Sequence, residues 1–169
     1  MIDVRAWTAL IDGLAPRLLG RDDRTGEPLA AQVRHVSELY TRERDALGDA
    51  STALAARMRF FLPRDLPKIG WPIAELAGAL PPGPRWRILD VGAGLGTTTL
   101  GVAALAARHG IERLEVTAVD SDAAALDIFS ALAHGGYDLG LCPPIELDAR
   151  RDDLERLDIP RLPQADLVL

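Results

Sequence analysis

Two carboxylates and three glycines carry the chemistry of this chain. Arg87-Ile88-Leu89-Asp90-Val91 reads as a short apolar strand. Gly92-Ala93-Gly94-Leu95-Gly96 follows it, and then an apolar stretch that predicts a helix from Thr97 to His109. A glycine loop between a strand and a helix lets backbone approach a ligand closely, and it aims the free N–H groups of the helix start at that ligand. Asp90 stands two residues before the first glycine, and Asp120 closes the next strand. A phosphate-cradling loop needs a lysine after its glycines, and none follows. A nicotinamide-type fingerprint wants glycine or alanine where Thr97 stands. Asp90 repels a pyrophosphate but balances a cationic, amine-bearing ligand. A carboxylate at Asp120 accepts from both hydroxyls of a ribose. Together the two acids suit a nucleoside that carries a positively charged amino acid.

The elements around this loop alternate. Leu114–Val119 predicts a second strand, and Ser121 or Asp122 caps a helix reaching His134, with Gly135-Gly136 as its stop. Pro144–Leu147 predicts a weaker third strand, residues 152–158 a short helical turn, and Asp166–Leu169 the start of a fourth strand. Strands alternating with helices predict an α/β fold built on a parallel sheet. Upstream the period is helical. Val4, Trp7, Leu10, Ile11, Leu14 and Leu18 make one stripe, stopped by Gly20, and Arg21–Pro28 is turn-like. Val33, Val36, Leu39 and Tyr40 make a second stripe ending near Gly48. Ser51 caps a third helix to Phe61, before Pro63, and Pro72 opens a fourth. Pro81-Pro82-Gly83-Pro84 fits no element interior. The expected organisation is a helical extension over 1–80, a linker over 81–84 and a sheet domain over 85–169.

With 169 residues, 48% apolar and 26% charged, the chain has the composition of one globular unit. No apolar run is long enough for a bilayer, which predicts no membrane partner. The first residues carry Asp3 and Asp12 and lack a basic start, so they do not read as a signal peptide. The one cysteine, Cys142, excludes an internal disulfide and a thiolate zinc site, and predicts a reducing, cytoplasmic setting. The net charge of −6 falls wholly in residues 85–169, which excludes a strongly basic nucleic-acid surface there.

Ile88-Leu89-Asp90-Val91-Gly92-Ala93-Gly94-Leu95-Gly96-Thr97 and Val119-Asp120-Ser121-Asp122 resemble the first motif and second-strand acid of class I S-adenosylmethionine-dependent methyltransferases. The resemblance covers Arg87 to Leu169 and implies a Rossmann-like sheet with S-adenosyl-L-methionine as cofactor. It puts Asp90, Gly92, Ala93, Gly94 and Gly96 around the methionine moiety, Asp120 at the ribose and Ser121 beside the adenine. Asp153 best matches the acid that meets the adenine amine, with Asp152 and Asp148 as rivals. Residues 36–44 and 60–68 resemble the N-terminal helices of the small-ribosomal-subunit-associated methyltransferase-like family of bacteria and mitochondria. That likeness implies ribosomal RNA or the small ribosomal subunit as a partner. Mitochondrial members carry a cysteine cluster for iron–sulfur or metal binding, and Cys142 alone does not make one. Family members have seven strands, so a sequence ending in the fourth predicts a fragment, and no catalytic residue is assigned.

Each residue also has a plainer reading. Asp153 reads equally as a solvated helix-start acid. Tyr40, Arg42 and Arg44 read as RNA-facing or as a solvated helix face. Phe60 and Phe61 read as core, Trp7, Trp71 and Trp86 as packing, and Cys142 as a small apolar filler. His35, His109 and His134 have no metal-like spacing. Two functions stay open: a methyltransferase, or an inactive methyltransferase-like module that docks on a ribosomal partner.

Overall fold

A computed structural model describes residues 1–20, 28–42, 53–76, 78–153, 155 and 162–169. Four parallel strands form one sheet in the order β3-β2-β1-β4. They are β1 (Arg85–Val91), β2 (Arg113–Asp120), β3 (Ile145–Arg151) and β4 (Leu167–Val168). β1 and β2 pair from Arg85↔Arg113 to Val91↔Val119, and β2 and β3 pair from Leu114↔Ile145 to Asp120↔Arg151. The chain is a mixed α/β protein with a Rossmann-like sheet preceded by helices. Strand order reverses between β1 and β4, the place where doubly wound sheets open a crevice beyond their strand ends.

β1 and β2 read as near-continuous apolar runs because both faces of their C-terminal halves are buried. β3 is longer than its apolar residues suggest, and β4 is shorter. β4 is pinned by Asp166, whose carboxylate accepts from the Arg87 amide and pairs with its guanidinium at 2.8 Å. That guanidinium holds the Asp166 carboxyl below its ordinary value.

One sheet face is covered by α6 (Thr97–Ala106) and α7 (Ala123–Asp138). α6 is apolar on all sides because it lies between the sheet and a further helical layer. That layer is one winding path: α3 (Leu54–Ala56), a wide π turn over Arg57–Phe61, α4 (Leu62–Asp65), a 3-10 turn over Leu66–Ile69, and α5 (Gly70–Leu76). The expected stop before Pro63 is therefore corrected. In the π turn the Leu62 amide reaches back to the Arg57 carbonyl, and Pro63 sits in the first turn of α4, where its missing N–H costs nothing. On α6, a Cβ at Gly101 would lie 2.5 Å from the Leu66 carbonyl oxygen, so the two elements touch backbone to backbone.

α1 (Val4–Leu18) is capped by Asp3, whose carboxylate accepts from the Ala6 amide, and it packs on α7. Here a second expectation is corrected, because α7 passes through Gly135-Gly136 to Asp138. The two glycines are contact points. A Cβ at Gly135 would lie 2.7 Å from Leu10, and one at Gly136 would lie 2.6 Å from the Trp7 ring. The real stop is Gly140, at φ +67°, where the amides of Gly140 and Leu141 close back on the carbonyls of Tyr137 and Gly136.

α2 (Leu29–Arg42) meets α3 through Val36, Ala53 and Ala56. The expected helix end near Gly48, the Ser51 cap, the turn at 21–27 and Arg44 lie outside the described residues. So do the side chains of Tyr40 and Arg42, and most of the expected turn at 152–158. Trp7, Trp86 and Cys142 are buried as packing residues. Trp71 is not, being 80% exposed on a short helix whose buried side is held by Ile73. Phe60 is 40% exposed, and the Arg64 guanidinium lies 4.6 Å from the Phe61 ring centroid and 5.3 Å from that of Phe60. Among the described residues no helix is long and apolar enough to cross a membrane, and no His, Cys, Asp or Glu group has metal-binding geometry.

Candidate functional site

β1 ends at Val91 and the glycine loop turns over the tip of β2. The amides of Gly92 and Ala93 both donate to the Val119 carbonyl, and the Gly94 amide donates to Asp120 Oδ2 at 2.7 Å. The other oxygen of Asp120 accepts from the Asp122 amide at 2.8 Å. The amides of Gly92, Ala93, Gly94 and Gly96 are thus spent within the protein, the last on the Ala93 carbonyl. Gly92, Gly94 and Gly96 have φ of +77°, +53° and +71°, the left-handed region that only glycine enters at low cost.

The three glycines differ in what they face. Gly92 and Gly94, with Ala93 and Asp90, line a cavity of about 500 Å³ at the C-terminal end of β1. Gly96 faces inward, where a Cβ would run into the Phe129 ring of α7. Its role is the close seat of loop on helix.

Asp90 is 4% exposed. Its Oδ2 accepts from the Thr99 hydroxyl at 2.6 Å, a bond made possible by the first turn of α6. Burial raises the Asp90 carboxyl above its ordinary value; the Thr99 bond partly opposes this, and the nearby Asp120 charge adds to the rise. A buried carboxylate with one hydroxyl partner and a cavity beside it is a receptor for a cation or an N–H donor.

Asp120 and Ser121 stand at the end of β2, and Asp153 lies two residues past the end of β3. Ser121 is exposed at the end of β2. The Asp152 amide donates to the Asp120 carbonyl at 3.1 Å, which sets Asp152 beside Asp120, with Asp153 one residue further along the chain. Asp153 is exposed and accepts from the Glu155 amide, so it also shapes the turn after β3. Asp148 stands elsewhere, in mid-strand opposite Thr117 and paired with Arg150. Asp122, one of two cap candidates, is the N-cap of α7 and accepts from the Ala125 amide.

Sequence reasoning missed Thr99 and the cavity's far wall. That wall comes from α2, the π turn and α4, through Ser37, Thr41, Arg57, Phe61, Arg64 and Asp65. The Thr97-Thr98-Thr99 run at the helix start was a readable signal for a hydroxyl partner to Asp90. Arg57 gave no local signal, because its partner Asp122 lies 65 residues away.

The cavity at Asp90 and the glycine loop has room for an S-adenosylmethionine-sized group, whereas Asp120, Ser121 and Asp153 are not among the residues that line it. The volume lies in the roughly 300–1,000 Å³ range of cofactor sites. The walls carry both signs of charge. A carboxylate offers about four lone-pair sites, so the two amides on Asp120 leave room for ribose hydroxyls.

No family model matches the chain, and no curated protein matches it. Among solved structures it is similar to YjhP from E. coli at 18% identity with a TM-score of 0.31, over 70% of this chain. The chain spans 36% of that protein's length.

Proposed function

We propose that this chain carries the cofactor-binding part of an S-adenosylmethionine-dependent methyltransferase. One observation supports the reading above the others. Asp90 and Asp120 end adjacent parallel strands on either side of a glycine loop tied to Asp120, and a cofactor-sized cavity opens at Asp90 and that loop. In this reading Asp90 faces the ammonium of the amino-acid moiety, and Asp120 accepts the ribose hydroxyls. Ser121 lies beside the adenine, and Asp153 meets its amine. The bound cofactor supplies an electrophilic sulfonium methyl. Asp90 and Asp120 would hold the two ends of that group and so position its methyl for an acceptor.

A ribosomal RNA acceptor is the finer form of this proposal, and the resemblance of residues 36–44 and 60–68 carries it. The second reading, a methyltransferase-like module without activity, is favoured by one feature. The amides of Gly92, Ala93 and Gly94 are held by Val119 and Asp120, so the loop keeps its shape without a ligand.

Calorimetry with S-adenosylmethionine, S-adenosylhomocysteine and NADH tests the reading. Binding of the two adenosyl compounds without NADH is the expected result. Tight NADH binding with no adenosyl binding overturns it. A purified chain that binds S-adenosylmethionine, yet transfers no methyl to small ribosomal subunits, moves the conclusion to the module.

A further inference from the structure

We infer that Arg57 anchors the anionic end of the bound molecule, its guanidinium taking the α-carboxylate of the amino-acid moiety while Asp90 faces the ammonium. The inference rests on the methyltransferase reading and extends it to a residue outside the sheet domain. Among the described residues, two cationic side chains line the cavity, Arg57 and Arg64. Arg64 is already used. Its Nε and Nη2 both donate to Asp65, at 2.6 and 2.8 Å, and its face lies on Phe61.

Arg57 is differently placed. Its side chain is 15% exposed, and its hydrogen-bond partner is Asp122, reached by Nη1 at 2.8 Å. Nη2 is left facing the glycine loop, 3.0 Å from where a Cβ on Gly94 would be. The guanidinium therefore stands over the loop with unused N–H donors. Guanidinium donors in a fixed plane match a carboxylate in geometry and charge. The plane is fixed here, because Asp122 is itself fixed: its Oδ1 caps α7 while its Oδ2 holds Arg57. A buried acid on one wall and a cation with spare donors over the loop are the two halves of a receptor for a zwitterionic amino-acid end.

The test is calorimetry of the full chain with two probes. S-adenosylhomocysteine carries the amino-acid end; 5′-methylthioadenosine keeps the nucleoside and lacks it. Wild type, Arg57→Gln and Arg57→Lys are compared. Arg57→Gln is expected to weaken S-adenosylhomocysteine roughly 10- to 100-fold and to change methylthioadenosine by less than about twofold. Arg57→Lys keeps the charge without the fork and is expected between the two. Unchanged or tighter S-adenosylhomocysteine binding by Arg57→Gln overturns the anchor, and tighter binding makes Arg57 a plug. Loss of both probes in Arg57→Gln, with both kept in Arg57→Lys, gives Arg57 a structural role and also overturns it. A wild-type chain that binds neither probe overturns the methyltransferase reading and the anchor with it.

Discussion

The Gly94 amide donates to Asp120 Oδ2 at 2.7 Å, so the tip of β2 grips the glycine loop at its middle residue. The same carboxylate grips the start of the α7 cap through the Asp122 amide. Asp120→Asn retains the shape but leaves one accepting oxygen for two amides. Losing one bond to a charged acceptor is expected to lower stability by about 1.5–3 kcal/mol. Urea unfolding measures it, and S-adenosylhomocysteine affinity should fall in parallel. An unchanged midpoint with unchanged affinity would remove Asp120 from both roles.

Gly96 sits against Phe129 rather than the cavity. Gly96→Ala adds a Cβ inside the ring's contact distance at a φ of +71°. The left-handed backbone costs an alanine roughly 1–2 kcal/mol, and overpacking adds about 1–3 kcal/mol. Adding Phe129→Leu to Gly96→Ala should return part of the overpacking loss and none of the backbone loss. Additive effects in the double-mutant cycle would show that the two residues do not touch.

The α1–α7 contact has its own test. Gly136→Ala places a Cβ 2.6 Å from Trp7 and 3.2 Å from Cys142 Sγ. The expected cost is about 1–3 kcal/mol, with a change in near-ultraviolet circular dichroism as Trp7 shifts. Burial pushes the Cys142 thiol up to about 12, so in the native protein it should react slowly with a thiol reagent. In Gly136→Ala it should react faster. Equal rates would place the α7 end apart from α1.

Asp90 gives a pH signature. Burial raises its folded-state value above the ordinary 3.8, so the native state holds a proton that the unfolded chain has released. Stability is then highest below the unfolded value, falls as pH climbs towards the folded value, and is level beyond it. Asp90→Asn can still accept from Thr99 and does not titrate. The stability of the variant relative to wild type is expected to rise through that window. Unfolding free energies at a series of pH values read it directly, and a flat difference would mean that Asp90 is well solvated.

What the sequence made legible was local. The run from Ile88 to Thr97, Asp122 as one of two caps, and the alternation of strands with helices all follow from neighbours in the chain. The misreadings came from distant partners. Gly135-Gly136 looks like a helix stop along the chain, and only Trp7 and Leu10, packed from α1, reveal why the side chains are missing. Pro63 looks like a terminator until a π turn absorbs it. Trp71 looks like core by type, yet α5 turns it outward and buries Ile73 instead. Arg57 is invisible because nothing near it in the chain needs a cation.

The contacts around Pro81–Pro84 have a consequence for how the polypeptide behaves when cut. Trp7 and Leu10 lock into α7, Leu66 meets the backbone of α6, and Arg57 grips Asp122. None of these contacts passes through the prolines. The Pro82–Gly83 peptide bond is a tether between surfaces that already fit. Residues 1–82 and 83–169 made as separate polypeptides should therefore reassemble, each supplying the other's missing core, as the two pieces of a complementing split protein do.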